Sequence, residues 1–330
     1  MFDKIYSDHI ICPNCNSSLK LNDLKCIKCK IEFLKKFNIP LLFIGHNFSE
    51  EKGDVINDVK KFYEKTPFPD YEKIESILDL INKAEKSFYV KFLNDEIPFN
   101  AKVLEVGCGT GQLSNYLSTS GRLVFGTDMC INSLRLAENF RQNNNLPNTK
   151  FIQMNLFKPV FKPRTFDLVI CQGVLHHTSD PYQGFLAIQK LVKPGGYIII
   201  GLYNFFGRLI TDVRRMIFNL TKDSFKFLDP RLSEKDRGKL KRESWFNDQY
   251  KHPHESKHTV SEVLEWFDIN DYKFINAIPK IKPFDYFTSN EKLFKQIDRG
   301  NSMHHIISQL KTIITGYKEG GLFIMIGRKK

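Results

Sequence analysis

The chain has 330 residues, of which 42% are hydrophobic and 13% aromatic, and its formal net charge at pH 7 is +12. This content excludes an intrinsically disordered chain, and the length allows more than one compact unit. A positive charge of this size suits binding to a nucleic acid or to an anionic membrane surface. The basic residues are mostly dispersed lysines, however, which favours solvated side chains on many faces.

No targeting or membrane segment is predicted. The first ten residues are mixed and charged, and no run of 18 apolar residues occurs. A cytosolic protein is therefore expected.

Residues 1–45 contain two closely spaced pairs of cysteines, Cys12 with Cys15 and Cys26 with Cys29. Each pair presents two thiolates to one ion, and two such turns complete a tetrahedral zinc site. Four thiolates leave no open position, so the zinc would be structural. Disulfides and free thiols are the alternatives, and a reducing cytosol disfavours disulfides.

Residues 46–97 are predicted to form a helical bridge. A helix over 54–63 ends before the prolines of 66–69. The aromatic residues around these prolines suit either a rigid turn or the edge of a lid. Apolar spacing over 74–93 predicts a helix or a pair of helices.

From residue 98 onward, strand and helix patterns alternate. Strands are predicted at 102–106, 122–127, 149–154, 166–171 and 196–203, with helices at 112–119, 131–143 and 181–191. This alternation is typical of a doubly wound parallel sheet. Such α/β sheets bind ligands at the carboxyl ends of their strands.

A glycine-rich loop follows the first of these strands. Glu105 precedes Gly107, Gly109 and Gly111. Glycine lets the chain turn sharply and lets a ligand lie against the backbone. Because position 112 is Gln, the pattern E-x-G-x-G-x-G differs from the dinucleotide fingerprint G-x-G-x-x-G.

This loop and four later segments together resemble the corresponding segments of the class I S-adenosylmethionine-dependent methyltransferases. They are 123–128, 151–155, 166–178 and 191–200. The resemblance covers roughly residues 100–204 and implies a Rossmann-like α/β fold with a seven-stranded sheet. A helix over 260–267 and strands at 272–278 and 322–326 fit its terminal antiparallel hairpin. The methyltransferase domain would span 98–330, with an insertion at about 205–259.

The resemblance implies that S-adenosylmethionine is bound and which residues bind it. Asp128 would bind the ribose hydroxyls. Asn155 stands beside the adenine where the family usually has Asp, and its amide oxygen can still accept from the adenine amino group. The predicted set is Glu105, Gly107, Gly109, Gly111, Asp128, Met129, Asn155, Leu156 and Gln172.

The cysteine segment is similar to the small zinc-ribbon proteins that partner and activate methyltransferases of tRNA and translation factors. It is also similar to the ribbon that precedes some rRNA guanine methyltransferases. The similarity lies in 10–15, 24–29 and 38–42. It implies a protein partner for the ribbon.

Two groups of residues compete for proton transfer, for which histidine suits neutral pH. His176 and His177 follow the fourth strand and either act as acid and base or only shape the pocket. The second group lies in the insertion and comprises Asp248, Tyr250, His252, His254, Glu255 and His258. It predicts substrate contact, catalysis, a second metal site, or a loop that is solvated or internally hydrogen-bonded. The predicted catalytic residues are His176, Tyr250, His252 and His254.

The insertion begins with a basic amphipathic helix over 205–220. Its arginines, Arg208, Arg214 and Arg215, either bind a carboxylate or phosphate or lie on a solvated face. Tyr203 and Asn204, at the end of the fifth strand, face the expected acceptor side.

These features predict methyl transfer to an oxygen or nitrogen of a small molecule, because the insertion would close over the site. An RNA methyltransferase is the first alternative, with the ribbon and the basic surface gripping phosphates. Residues 172–175 lack the N-P-P-Y-like tetrapeptide of many base-amine methyltransferases. A regulatory protein that binds S-adenosylmethionine without catalysis is the second alternative.

Overall fold

The computed structural model describes residues 8–20, 23–45, 55–65, 71–233, 238–315 and 320–330. In its first part, two small antiparallel hairpins hold the four cysteines together. Their strands are β1 (Leu19–Lys20), β2 (Lys25–Cys26), β3 (Lys35–Lys36) and β4 (Ile39–Pro40). We call this part, 8–45, the ribbon.

Three helices follow the ribbon: α1 (Val55–Lys65), α2 (Ile77–Ala84) and α3 (Phe88–Glu96). Helix α2 begins at a capping box, in which the Ser76 hydroxyl accepts from the Asp79 N–H and the Asp79 carboxylate accepts from the Ser76 N–H. The helices predicted over 54–63 and 74–93 are confirmed for the residues described. The predicted turn or lid edge at 66–69 lies outside them.

A mixed sheet of seven strands forms the centre of the molecule, in the order β10-β11-β9-β8-β5-β6-β7. The strands are β5 (Lys102–Val106), β6 (Leu123–Asp128), β7 (Thr149–Gln153), β8 (Phe166–Gln172), β9 (Val192–Tyr203), β10 (Tyr272–Ile278) and β11 (Leu322–Lys329). Strands β5 to β9 are parallel, and β11 lies antiparallel between β9 and β10. The predicted seven-stranded sheet is confirmed.

One strand begins earlier than the sequence predicts. Strand β9 starts at Val192 instead of residue 196, because the chain stays extended there and Val192 pairs with Phe166. The register then shifts, and Leu168 pairs with Tyr197. The Lys-Pro-Gly-Gly segment therefore forms a bulge within the strand.

The remaining helices are α4 (Gln112–Ser118), α5 (Ile131–Asn143), α6 (Pro181–Gln189), α7 (Leu209–Leu220), α8 (Pro230–Ser233), α9 (Lys239–Tyr250), α10 (Val260–Ile269) and α11 (Ser302–Thr315). Helices α7 to α9 form the insertion between β9 and α10. Within the described ranges, every helix is too short or too polar to cross a bilayer.

Both faces of the sheet are buried. Leu104, Val106 and Phe125 belong to the core on one face, and Val103 and Val124 to the core on the other. Because side chains alternate along a strand, two covered faces require continuous apolar runs. This explains why the central strands are so evident in the sequence.

The ribbon packs on the β7 edge of this sheet. The Leu42 N–H donates to the Gln153 carbonyl at 3.0 Å, and Leu41 pairs with Gln153 in parallel. A second attachment joins the Ile11 N–H to the Val160 carbonyl at 2.8 Å. The ribbon therefore covers an edge that would otherwise expose unpaired backbone groups.

Candidate active site

A cavity of about 430 Å³ opens at the carboxyl ends of the parallel strands. We call its two parts the glycine-loop end and the insertion end. The glycine-loop end is lined by Glu105, Gly107, Gly109, Asp128, Met129, Met154, Asn155, Leu156 and Gln172, and the insertion end by Tyr63, His177, Thr178, Tyr203, Arg231, Trp245, Asp248 and Gln249. Eight of the nine predicted cofactor-binding residues line this cavity.

The glycine loop turns through conformations that other residues rarely adopt. The φ angles of Gly107, Gly109 and Gly111 are 71°, 53° and 70°. A Cβ atom at Gly107 would lie 2.2 Å from Cγ2 of Val174. Gly111 instead forms the N-cap of α4 and packs against Phe151. Gly111 thus shapes the loop without lining the cavity.

Asp128 fixes this loop from the end of β6. One of its carboxylate oxygens accepts from the Gly109 N–H at 2.9 Å, and the other accepts from the Cys130 N–H at 2.8 Å. Burial raises the pKa of Asp128 from its usual range. A carboxylate has about four acceptor positions, so these two contacts leave acceptor capacity for a ligand's hydroxyl group.

Glu105 lies at the same strand-end level and is also buried. The Ser114 hydroxyl donates to its carboxylate. Burial raises the pKa of Glu105 to about 7, although the Ser114 hydrogen bonds oppose this shift. Glu105 therefore changes charge near neutral pH, unlike an exposed carboxylate.

Asn155 joins the cavity to the ribbon. Its side-chain nitrogen donates to the Ile44 carbonyl at 2.8 Å, and its oxygen accepts from the Phe157 N–H at 3.1 Å. Phe43, also in the ribbon, lines the cavity. An Asp at position 155 would lack the amide hydrogen that this link requires.

At the insertion end, the side-chain amide of Gln249 orients the neighbouring polar side chains. Gln249 donates from Nε2 to the Tyr203 hydroxyl at 3.0 Å and to Asp248 at 2.8 Å. Its oxygen accepts from Arg208 at 2.5 Å. Because Gln249 donates to the Tyr203 oxygen, the Tyr203 hydroxyl hydrogen is available for another acceptor.

The carboxylate of Asp248 is held on both sides. The Tyr63 hydroxyl of α1 donates to Oδ1 at 3.0 Å, while Gln249 donates to Oδ2. The residue is buried, and desolvation raises the pKa of Asp248 from its usual range. This raised pKa makes Asp248 a stronger proton acceptor than an exposed aspartate.

His177 lines the cavity, whereas His176 lies behind it and is fully buried. His177 Nδ1 lies 2.9 Å from the His254 carbonyl, and its Nε2 lies 3.1 Å from His176 Nε2. The carbonyl can only accept, so His177 carries its proton on Nδ1 and accepts from His176 at Nε2. Burial lowers the pKa of His177 to about 4, and both of its ring nitrogens are engaged.

The other predicted catalytic residues lie outside the cavity wall described here. Tyr250 packs against Phe218 and donates its hydroxyl to Asp229 at 2.9 Å. His252 stacks on His177 with ring centres 3.6 Å apart. His254 meets the site through its backbone carbonyl. Asp248 and His258 are buried, and Glu255 and His258 are hydrogen-bonded to other residues of the chain. The segment 248–258 is therefore internally hydrogen-bonded and not solvated throughout.

Arg208 does not lie on a solvated face; it binds a carboxylate, which belongs to the insertion itself. Its side chain is 0% exposed and binds Glu255 of the same chain, with Nη2 at 2.5 Å from the carboxylate. Arg215 binds the same carboxylate at 2.8 Å, and Arg214 lies beside Tyr250. These contacts brace the insertion from within.

The four cysteines lie together as predicted. Their sulfur atoms are all within 4.8 Å of one another, with Cys12 and Cys29 at 3.6 Å and Cys15 and Cys26 at 3.4 Å. Zinc–sulfur bonds of about 2.3 Å in a tetrahedron place the sulfurs roughly 3.8 Å apart, so the cluster fits a zinc ion. Among the described residues, the histidines of 248–258 do not belong to any group that could hold a metal ion.

The sequence did not identify Phe43, Val59, Tyr63, Arg231 or Trp245 as site residues. Tyr63 reaches the cavity from a helix 185 positions before Asp248. No local motif marks such a contact. The one hint in the sequence was the group of aromatic residues around 62–71, interpreted above as a rigid turn or the edge of a lid.

Fold and site together define a nucleotide-type ligand site on a doubly wound sheet. A family model described as a methyltransferase domain matches residues 104–200. A protein of Coxiella burnetii named ubiquinone biosynthesis O-methyltransferase is 31% identical over 161 residues, which cover 46% of this chain and 67% of that protein. The chain belongs to the class I S-adenosylmethionine-dependent methyltransferases.

Two further relatives are similar over smaller parts of their length. A Photorhabdus laumondii protein of the same name is 36% identical over 107 residues, covering 32% of this chain and 44% of that protein. The solved structure of PKMT2 from Rickettsia typhi in complex with AdoHcy has 15% identity and a TM-score of 0.50, covering 70% of this chain and 49% of that one. The chain thus spans less than half of both proteins.

Proposed function

We propose that this protein transfers a methyl group from S-adenosylmethionine to an oxygen or nitrogen of a small molecule bound at the insertion end. The observation that carries the proposal is the buried carboxylate of Asp248, held toward the cavity by Tyr63 and Gln249. S-adenosylmethionine supplies a reactive methyl group, so the protein mainly aligns the acceptor and excludes water.

Three groups hold the cofactor in this proposal. The glycine loop offers its backbone, Asp128 accepts from the ribose hydroxyls, and Asn155 lies beside the adenine. All three lie at adjacent strand ends. Glu105 stands behind the loop as a buried group that titrates near neutral pH.

Asp248 receives the acceptor's proton, and Tyr203 orients the acceptor. Burial raises the pKa of Asp248, which makes it a better proton acceptor than an exposed aspartate. The Tyr203 hydroxyl, fixed by Gln249, donates its hydrogen to the acceptor atom. His177 forms the neutral wall of the site, and His176 and His252 position its ring. These roles replace the proton transfer predicted for the histidines and Tyr250.

A small acceptor fits the way in which this end is built. Its walls come from α1, the segment after β8, the end of β9, α8 and α9. Tyr203, Asp248 and Gln249 are all at most 8% exposed. The relatives from Photorhabdus laumondii and Coxiella burnetii are both named for an O-methylation in ubiquinone biosynthesis. The rival RNA acceptor would show itself in steep salt-dependent binding of the protein to bulk RNA.

We further propose a structural Zn²⁺ at Cys12, Cys15, Cys26 and Cys29, which would make residues 1–45 a zinc-dependent unit. The bridge of 46–97 and the domain of 98–330 complete the proposed organisation. A cytosolic location and a protein partner for the ribbon stay predictions.

Asp248→Asn tests the role of the carboxylate. We expect methyl incorporation from labelled S-adenosylmethionine into a small-molecule extract to fall by about 10²- to 10⁴-fold, because the proton acceptor is lost. Affinity for S-adenosylhomocysteine in calorimetry should stay within about threefold, because Asp248 lies at the other end of the cavity. Asp268→Asn, at a half-exposed carboxylate paired with Arg299, is the matched control. Unchanged incorporation in Asp248→Asn would refute the assignment.

A further inference from the structure

The last residues of the ribbon reach the glycine-loop end of the cavity. After Ile39–Pro40, Leu42 is fully buried and hydrogen-bonded to the edge strand β7. The next two residues then continue past the end of that strand. Phe43 lines the cavity, and the Ile44 carbonyl accepts from Asn155.

The ribbon also packs against the glycine loop. Ile39 is fully buried in a cluster with Cys108, Leu134 and Phe151. Cys108 belongs to the loop, and the Phe151 ring is the surface against which Gly111 packs. The same short segment therefore contacts the loop, the edge strand and the cavity.

Phe43 is also contacted by helix α1. The Lys60 ammonium of α1 lies 4.8 Å from the centre of its ring. Met154, Asn155 and Leu156 line the cavity beside it. An aromatic ring fixed among these residues offers an apolar face to a flat heterocycle.

We infer that Phe43 is a cofactor-binding residue supplied by the ribbon, and that the folded ribbon sets the affinity for the cofactor. This inference rests on the proposed function, since it assumes that S-adenosylmethionine occupies the cavity. It also explains Asn155, whose amide hydrogen ties the ribbon to the adenine side. The zinc cluster then acts on the active site through one continuous segment, 39–44.

Calorimetric titration of the full chain with S-adenosylhomocysteine tests the inference. Phe43→Ala should weaken binding by about tenfold to a hundredfold, because an apolar ring facing the ligand is lost. Phe37→Ala, in the β-turn of the same ribbon and 42% exposed, should bind within about twofold of the wild type. Phe43→Leu, which keeps most of the apolar volume, should fall between the wild type and Phe43→Ala.

Removing the metal is the second arm. Extraction of zinc from the full chain with a chelator should weaken the same binding at least as much as Phe43→Ala, and readdition of zinc should restore it. Wild-type affinity in both Phe43 variants would overturn the inference and leave the proposed function standing. Failure of the wild-type protein to bind S-adenosylhomocysteine would overturn both.

Discussion

The two ends of the cavity are built in different ways. The glycine-loop end comes mainly from one stretch, 105–173, whose lining residues lie at the strand ends or shortly after them. The insertion end is assembled from α1, the segment after β8, the end of β9, α8 and α9, which are spread over most of the sequence. The sheet itself positions the first end, whereas side-chain contacts must position the second.

Those contacts form a buried polar network. Arg208 binds Glu255 and Gln249, and Gln249 in turn orients Tyr203 and Asp248. The Arg208 guanidinium also lies 4.0 Å from the centre of the Tyr203 ring. A network of this kind is rigid only while every member has its partner. The insertion end should therefore be the more fragile of the two.

The largest effect is expected from Glu255→Gln. Removing this charge leaves the Arg208 cation buried without its partner, at a cost of about 3–5 kcal/mol in the free energy of unfolding. Chemical denaturation measures this loss. Methyl transfer should also fall, because Arg208, which holds the Gln249 amide, loses its own carboxylate partner.

Glu243→Gln is the matched control, because Glu243 is exposed on α9. It should change the unfolding free energy by less than about 0.5 kcal/mol. Equal stability of the two variants would contradict the view that the insertion end depends on this network.

A smaller effect is expected from Asp128→Asn at the glycine-loop end. In the wild type, one carboxylate oxygen accepts from the Gly109 N–H and the other from the Cys130 N–H. In Asn, one of these oxygens becomes an NH2 group, which can only donate, so one of the two hydrogen bonds is lost. Loss of a charge-assisted hydrogen bond corresponds to roughly 1.5–3 kcal/mol, or about tenfold to a hundredfold in affinity for S-adenosylhomocysteine. Calorimetry that showed unchanged affinity would refute the ribose assignment.

The smallest effect, counted per pH unit, is the pH dependence of stability. Burial lowers the pKa of His252 to about 3, below the value near 6.5 in an unfolded chain. As the pH falls below about 6.5, the unfolded chain takes up a proton that the folded chain does not. The wild type should therefore lose stability relative to His252→Phe, by up to about 1.4 kcal/mol per pH unit.

Comparison with His252→Phe is needed because Glu105 titrates in the opposite sense. Its raised folded pKa, about 7, favours the folded state as the pH falls. That contribution is common to both proteins and cancels in their difference. A difference in unfolding free energy that stayed constant from pH 7 to pH 4 would contradict the buried, neutral state of His252.

The same contrast explains what the sequence could predict. The strands and the cofactor residues follow from local patterns, because apolar runs, glycines and strand-end carboxylates are adjacent in the chain. Tyr63 and Asp248 meet only through packing of α1 on the insertion. His176 and His177 are neighbours in a short 3-10 helix, and the sequence does not specify which of the two faces the ligand.

The most direct measurement asks where the methyl group goes. The full chain is incubated with methyl-labelled S-adenosylmethionine and fractionated cell extract, and the label is followed into RNA, protein and small molecules. The account predicts label in the small-molecule fraction, strongly reduced in Asp248→Asn. Label in RNA or protein, or none in any fraction, would contradict it.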